Sequence, residues 1–381
     1  MTAPRQRPVS ASFSTSGAMP KISHGEGVYV YDADGNRYID GSSGPALFCL
    51  GHGNREVGEA IKSQIDRIAH GYRYIFSSDP LEQLQALIAE ESGGDLNRMI
   101  FVSGGSEAVE SCLKVALQYH SANGETSRRR FISRRRSWHG NTLGALSVSG
   151  FEARRAPYEG ALIDSSQLSP VNVYRPPPNV APGEVAEFCA AELEREIERL
   201  GAENIAAFIF EPIVGAAGGV VPAPPGYAAR IRDICDRSGV LMIADEVMCG
   251  VGRCGAWRAL AVDGVTPDIM AIAKGLAGGY LPLGAAAFRE RRYSRIVQAD
   301  GEVISGHTYT GHTTACAAGL AVQTIIRRDR LIPKASADGR YLRDRLGETI
   351  GDLDFVGDIR GRGLFIGIEL VADRETKEPY D

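Results

Sequence analysis

The sequence lacks a long hydrophobic run. No apolar stretch approaches the roughly 18 residues that a membrane-spanning helix needs. The best candidate, Ile269 to Phe288, is broken by Lys274, several glycines and Pro282. An excess of positive charge is also missing: 42 Lys and Arg stand against 47 Asp and Glu, a net charge of −5. Such a balance argues against a partner gripped through a phosphate backbone. The seven cysteines (Cys49, Cys112, Cys189, Cys235, Cys249, Cys254 and Cys316) are odd in number and form no CxxC pair. Neither a disulfide framework nor a zinc knuckle is indicated, and a reducing cytoplasm is the expected compartment. Residues 1–25 contain no acid but carry Arg5, Arg7, Lys21 and many serines. Without an amphipathic period they read as an N-terminal arm rather than a transit peptide. What remains is an ordinary globular composition, 44% hydrophobic and 23% charged over 381 residues. That is room for two or three domains, or one large domain with an appendage.

Strand and helix patterns alternate along the chain. Residues 27–40 hold two β-rich runs flanking Asp-Ala-Asp-Gly, a hairpin signal. Helical spacing follows over Glu56–Ile68 and Pro80–Ser92. From residue 98 short apolar runs recur: MIFVS (99–103), FIS (131–133), ALSVS (145–149), IAAFIF (205–210), VLMIA (240–244), IMAIA (269–273) and LGAAAF (283–288). Helices fit between them at 107–120, 184–200 and 226–238. The expectation is an α/β fold with a mostly parallel sheet between helices. Segment 157–183 is proline-rich and reads as a surface excursion. After residue 312 the chain is helical again, then ends with the strand-like GLFIGIELV (363–371).

Polar residues fall just past the apolar runs: Ser103-Gly104-Gly105-Ser106, Glu211, Asp245 and Lys274. In open parallel sheets the ligand crevice lies at the carboxyl ends of the strands. The turn at Gly105-Ser106 opens a helix and suits an anion, although Ser103 or Ser106 could equally be a plain N-cap. Lys274, set among apolar neighbours, is either a desolvated nucleophilic amine or a side chain snorkelling outward. Asp245 needs a cationic partner, which a pyridinium nitrogen or a structural arginine could supply. The basic run RRRFISRRR (128–136) reads as two solvated turns around a short strand. Gly250-Val-Gly252-Arg-Cys-Gly255 matches GxGxxG, with Asp268 as the trailing acid. The stretch between them is too short and too rich in Gly, Pro and Asp for a helix plus strand, so a dinucleotide site is rejected.

In order along the chain stand GVYVYDADGNRYID, LGHGNREV, FVSGGSEAVE, SWHGNTLGALS, EPIVG, ADEVMCGVGRCG, AKGLAGGYLPLGA, HTYTGHTTACAAGLA and IRGRGLFIGIEL. From about residue 24 to the end this resembles the class III aminotransferases, most closely the ω-amino-acid and amine transaminases. The resemblance implies fold type I: a large domain around a mostly parallel sheet, plus a smaller α+β domain from both chain ends. It implies pyridoxal 5'-phosphate as cofactor. It assigns Lys274 to the lysine that forms the internal aldimine and Asp245 to the partner of the pyridine nitrogen. Gly105 and Ser106 match the phosphate cup. Trp138 stands where the family usually has a Tyr or Phe stacked on the ring, and Val247 matches the apolar residue on the other face. Glu211 matches the Glu-Pro acid near cofactor and substrate. Thr308 matches a threonine that reaches the phosphate from the neighbouring subunit, which implies a homodimer. Met248 stands where many members carry a Gln that bonds the ring hydroxyl.

The implied division is an N-terminal arm and part of the small domain (1–60), a large cofactor-binding domain (61–312) and a small C-terminal domain (313–381). Family members continue for several dozen residues past the position of Asp381, so an incomplete small domain is expected, with the opening hairpin as one sheet neighbour for GLFIGIELV. The implied activity moves an amino group from an amine or ω-amino acid to a 2-oxo acid such as pyruvate. The substrates are small molecules, with no nucleic-acid or membrane partner. The competing readings are an aminomutase or decarboxylase on the same scaffold, or an inactive protein that still binds the cofactor.

Overall fold

A computed structural model describes residues 19–380; most of the expected N-terminal arm lies outside the described residues. In chain order the elements begin with β1 (Ile22–Glu26), β2 (Tyr29–Asp32) and β3 (Arg37–Ile39), then an irregular turn α1 (Ser43–Ala46), α2 (Arg55–Arg67) and α3 (Asp79–Glu91). Next come β4 (Arg98–Val102), α4 (Gly105–Ala122), β5 (Arg130–Arg134), α5 (Leu143–Ser147), α6 (Glu152–Arg155), β6 (Ser165–Leu168), α7 (Val185–Leu200) and β7 (Ile205–Phe210). A short pair β8 (Ile213–Val214) and β9 (Val221–Pro222) precedes α8 (Tyr227–Ser238), β10 (Leu241–Asp245), β11 (Ile269–Ile272) and β12 (Gly284–Phe288). The chain continues through α9 (Glu290–Asp300), α10 (Thr313–Arg328), α11 (Leu331–Ile350), β13 (Val356–Arg362) and β14 (Phe365–Leu370).

Seven strands form the central sheet in the order β4-β12-β11-β10-β7-β5-β6. Only β12 runs antiparallel to its neighbours. The continuous apolar runs are explained by burial on both faces: every residue of β7, β10, β11 and β12 is buried. Alternate side chains go to opposite layers, as a pleated strand requires. Ala207 and Ile209 pack with Val109, Cys112 and Ala116 of α4, whereas Phe208 and Phe210 pack with Leu193 of α7 and Ile231 of α8. Helices on both faces force the carboxyl ends of the parallel strands to open on one edge, which is where the polar residues sit.

Several expectations are corrected. ALSVS is not a strand: residues 143–147 form α5, held by Glu110, whose Oε2 accepts from Thr142 Oγ1 and Ala145 N. The proline-rich segment is not wholly a surface excursion, because it contains edge strand β6, paired parallel with β5. The basic run is not two solvated turns. Arg134 is buried, bonded to Tyr227 Oη at 2.9 Å, Cys189 O at 2.7 Å and Glu192 Oε2 at 3.1 Å. Arg128 donates to the carbonyls of Ala202 and Ile205. Nor does the opening hairpin flank GLFIGIELV: β1–β3 and β13–β14 are separate sheets, and β14 pairs with β13. After Gly255 the chain makes turns and a short 3-10 helix (Ala259–Asp263) rather than a full α-helix, and Asp268 is locked by Arg232 at 2.9 Å and Arg292 at 2.8 Å.

Candidate active site

The strand ends converge on a cavity of about 450 Å³. Ser103 to Ser106 enter it after β4, Glu211 one residue past β7, Asp245 as the last residue of β10, and Lys274 two residues past β11. Trp138 and Val247 also line it, with Leu47 and Phe48 contributed by the N-terminal segment.

α4 begins at Gly105 with Gly104 as N-cap, and no side chain caps it among the described residues. The plain-cap reading of Ser103 or Ser106 is therefore not what is found. The Ser103 N–H donates instead to Glu107 Oε2 at 2.8 Å. Ser106 Oγ accepts from Asn141 N at 2.9 Å, which places the hydroxyl at the cavity wall. Gly105 has no room for a side chain, since a Cβ there would meet Val247 Cγ1 at 2.9 Å. An 18-residue helix thus presents its uncapped N–H groups and positive dipole end to the cavity, an arrangement suited to a phosphate.

Asp245 is buried, with one hydrogen-bond partner on each oxygen. Its Oδ1 accepts from Val247 N at 3.0 Å, and its Oδ2 lies 2.7 Å from Nδ1 of His139, whose side chain is also buried. Against an ionised carboxylate, Nδ1 must be the donor. His139 is the residue that the sequence did not single out. The only available signal was its place in Ser-Trp-His-Gly, and its partner lies 106 positions away. Beside this pair, Glu211 accepts from Trp138 N through Oε1 and from Gly215 N through Oε2, both at 2.9 Å. Burial pushes its carboxyl up to about 7, with His139 pulling it down and Asp245 adding to the rise.

Lys274 is half-buried and holds a left-handed backbone, φ 47°, which is costly for a non-glycine residue. Burial pulls its ammonium below the ordinary lysine value, opposed in part by Asp245 and Glu211. An amine in that position sheds its proton more readily and becomes nucleophilic. Trp138 packs edge-on against Phe151, with Arg154 over its ring at 4.8 Å. Met248 also lines the cavity. Thr308 is not brought to this cavity. It is exposed in the loop before α10, where its carbonyl accepts from His70 Nε2 at 3.3 Å.

The donor set suits pyridoxal phosphate: a helix N-terminus with a hydroxyl for the phosphate, a buried carboxylate for the ring nitrogen, and a lysine of lowered basicity for the aldehyde. His139 Nε2 is moreover a buried polar atom without a partner at the cavity wall.

Comparison with known proteins agrees. Residues 13–380 match the family described as Aminotransferase class-III. The chain is 44% identical over 366 residues to an uncharacterized aminotransferase of Schizosaccharomyces pombe, covering 95% of this chain and 79% of that protein. An amine transaminase from an uncultivated Pseudomonas species, solved in its PLP-bound form, is 36% identical with a TM-score of 0.93, covering 100% of this chain and 87% of that one. An (S)-enantioselective ω-transaminase from Thermomicrobium roseum is 37% identical with a TM-score of 0.91, covering 95% and 80%. The protein belongs to the class III aminotransferases, pyridoxal-phosphate-dependent enzymes of amino transfer.

Proposed function

We propose that the amino group is taken from an amine or ω-amino acid and delivered to a 2-oxo acid such as pyruvate, with Lys274 and Asp245 as the catalytic residues. The observation that carries the reading is the convergence of Lys274, Asp245 and the N-terminus of α4 on one cavity. Pyridoxal phosphate supplies an electron sink for charge that develops on the amine-bearing carbon. Asp245 holds a proton at the ring nitrogen, and His139 Nδ1 fixes the carboxylate that does so. Lys274 Nζ is the covalent attachment point and then the base that moves a proton at the substrate carbon. Gly105, Ser106 and the first N–H groups of α4 bind the phosphate, while Trp138 and Val247 hold the ring plane and exclude water. Glu211 ties Trp138 to the 215 loop.

The same reading makes the protein a homodimer in which Thr308 reaches the phosphate of the partner subunit. Support comes from an exposed apolar patch around Thr308. Ile75 is 70% exposed and Phe76 64%, joined by Tyr72, Tyr74, Ile304 and Tyr309. The two segments touch, Arg73 donating to Ser305 O at 3.2 Å. A patch of this kind calls for a partner surface. Packing of Val57 against Val322, Ile325 and Ile326 supports a small domain built from both chain ends, with 1–60 and 313–381 flanking a large domain at 61–312. Seven free cysteines suit a reducing cytoplasm. No helix among the described residues is long and apolar enough to cross a membrane.

The test is a screen of amines and ω-amino acids with pyruvate as acceptor, reading alanine formed by the purified protein with added cofactor. Alanine that depends on an amine donor is expected. Its absence with every donor, while the protein holds the cofactor, would refute the reading.

A further inference from the structure

One wall of the cavity comes from the loop 215–220, which joins β8 to β9. Ala216 lines the cavity, and Gly215 sits so close to Met248, also at the wall, that a Cβ would collide with its Sδ. The near end of the loop is held from inside. Glu211 accepts from Gly215 N through Oε2 and from Trp138 N through Oε1. The far end is held from outside, by Arg360 of β13. Its Nε donates to Val220 O at 3.0 Å, and its Nη2 to Gly219 O at 2.7 Å and Gly218 O at 3.2 Å. Its Nη1 donates to Asp358 Oδ2 at 3.0 Å and to Glu369 Oε2. These five contacts match the five N–H donors of a guanidinium. Glu369 is fixed in turn by Arg175 Nε at 2.5 Å. Within the loop Val220 has φ 57°, an outlier for a β-branched residue.

We propose that Arg360 is a positioning residue for the cofactor: through the loop 215–220 it sets Ala216 and Glu211, and through Glu211 the backbone of Trp138, against the bound ring. A left-handed valine persists only where its surroundings over-determine it, and here the anchor is Val220's own carbonyl. The division of donors fits the role. Asp358 and Glu369, on the same hairpin as Arg360, answer the charge and hold the guanidinium still. The remaining three N–H groups are then aimed at three successive carbonyls of one loop. That loop carries a cavity wall at its other end, so a slack far end lets Gly215 drift from Glu211 and Met248. Reacting groups tolerate little misplacement, even from a change far from the chemistry. The proposal rests on the reading that this cavity holds the cofactor on Lys274, and it is independent of which donor and acceptor are used.

The experiment titrates the full-length protein with pyridoxal phosphate and reads affinity by absorbance and ring orientation by visible circular dichroism. Arg360→Gln should bind about tenfold more weakly or worse, with an altered dichroism band. Arg360→Lys, with three donors in place of five, should recover part of both. Arg175→Gln removes an ion pair of Glu369 but touches none of the loop carbonyls, and should keep wild-type affinity and dichroism. Equal affinity and dichroism in wild type and Arg360→Gln, or the same change in Arg175→Gln, would overturn the proposal and leave Arg360 as a structural residue. Should Arg360→Gln fold poorly, the wild-type protein still decides the matter. Linkage is reciprocal, so loading the cofactor should slow amide exchange in peptides covering 215–220 and 356–370 together. Slowing in neither, or in the first alone, would overturn the proposal. Borohydride labelling of the same samples separates the two possible failures. A label on Lys274 with unchanged binding in Arg360→Gln refutes the role of Arg360 alone, whereas a label elsewhere refutes the site reading and the proposal with it.

Discussion

Replacing His139 by leucine strips Asp245 of its only side-chain partner among the described residues. The carboxylate sits 3% exposed at the end of β10, with one oxygen on Val247 N and the other on His139 Nδ1 at 2.7 Å. The imidazole is held in turn by its own backbone, whose N–H donates to Ser149 Oγ at 2.8 Å. In the leucine variant Asp245 Oδ2 faces an apolar side chain in place of a donor. Loss of a hydrogen bond to a buried charged group costs about 1.5–3 kcal/mol. At ~1.4 kcal/mol per tenfold that is roughly a 10- to 100-fold slower reaction with amine. His139→Asn can place an N–H near the position of Nδ1 and should recover most of the rate. The assay is stopped-flow absorbance of the loaded protein mixed with an amine donor across a pH series. The leucine variant should be slower with a displaced pH profile, and the asparagine variant should approach wild type. An unchanged rate and profile for leucine would show that Asp245 needs no such partner, and the positioning role would fall.

Three further outcomes are expected. Glu246 is buried, accepting from Ala259 N at 2.5 Å and Leu260 N at 3.1 Å, and burial pushes its carboxyl up to about 7. The folded form thus holds a proton that the unfolded chain releases near 4.5. This contribution to stability falls as pH rises from about 4.5 to about 7, by roughly 3 kcal/mol in all; denaturant melts of Glu246→Gln should lack that slope, and an identical slope would contradict it. For Asp268 burial alone would raise the carboxyl, but Arg232 and Arg292 hold it well below the usual carboxylate range, so its stabilisation is present above about pH 4 and is lost on acidification. Asp268→Asn should cost about 3–5 kcal/mol at neutral pH by breaking a buried carboxylate's pairs with Arg232 and Arg292 and leaving half-buried Arg292 without a carboxylate, and a melt within error of wild type would refute that. Phe76→Asp, in the exposed patch, should convert a dimer to monomer in sedimentation velocity and weaken cofactor binding together; an unchanged sedimentation coefficient would place the interface elsewhere.

The central sheet was legible because its strands are buried on both faces and so read as unbroken apolar runs. The same placement put Ser106, Glu211, Asp245 and Lys274 at strand ends, where the sheet brings them together. ALSVS misled because five small or apolar residues satisfy a strand template, while the contact that makes them helical comes from Glu110 on α4. Strand β6, Ser-Ser-Gln-Leu, is a sheet edge with little apolar content, so the ladder to β5 was its only mark. His139 was invisible for a related reason: its function depends on a partner far away in sequence. Arg128 and Arg134 show the reverse, a charge run that looks solvated but ties loops and helices to the sheet through buried hydrogen bonds.

The central claim is that Lys274 carries the cofactor. Borohydride reduction of the loaded protein, followed by peptide mapping, tests it most directly. A phosphopyridoxyl group is expected on Lys274, and none on that peptide in Lys274→Ala. A label on a different lysine, or no label in a protein that still binds the cofactor, would contradict it.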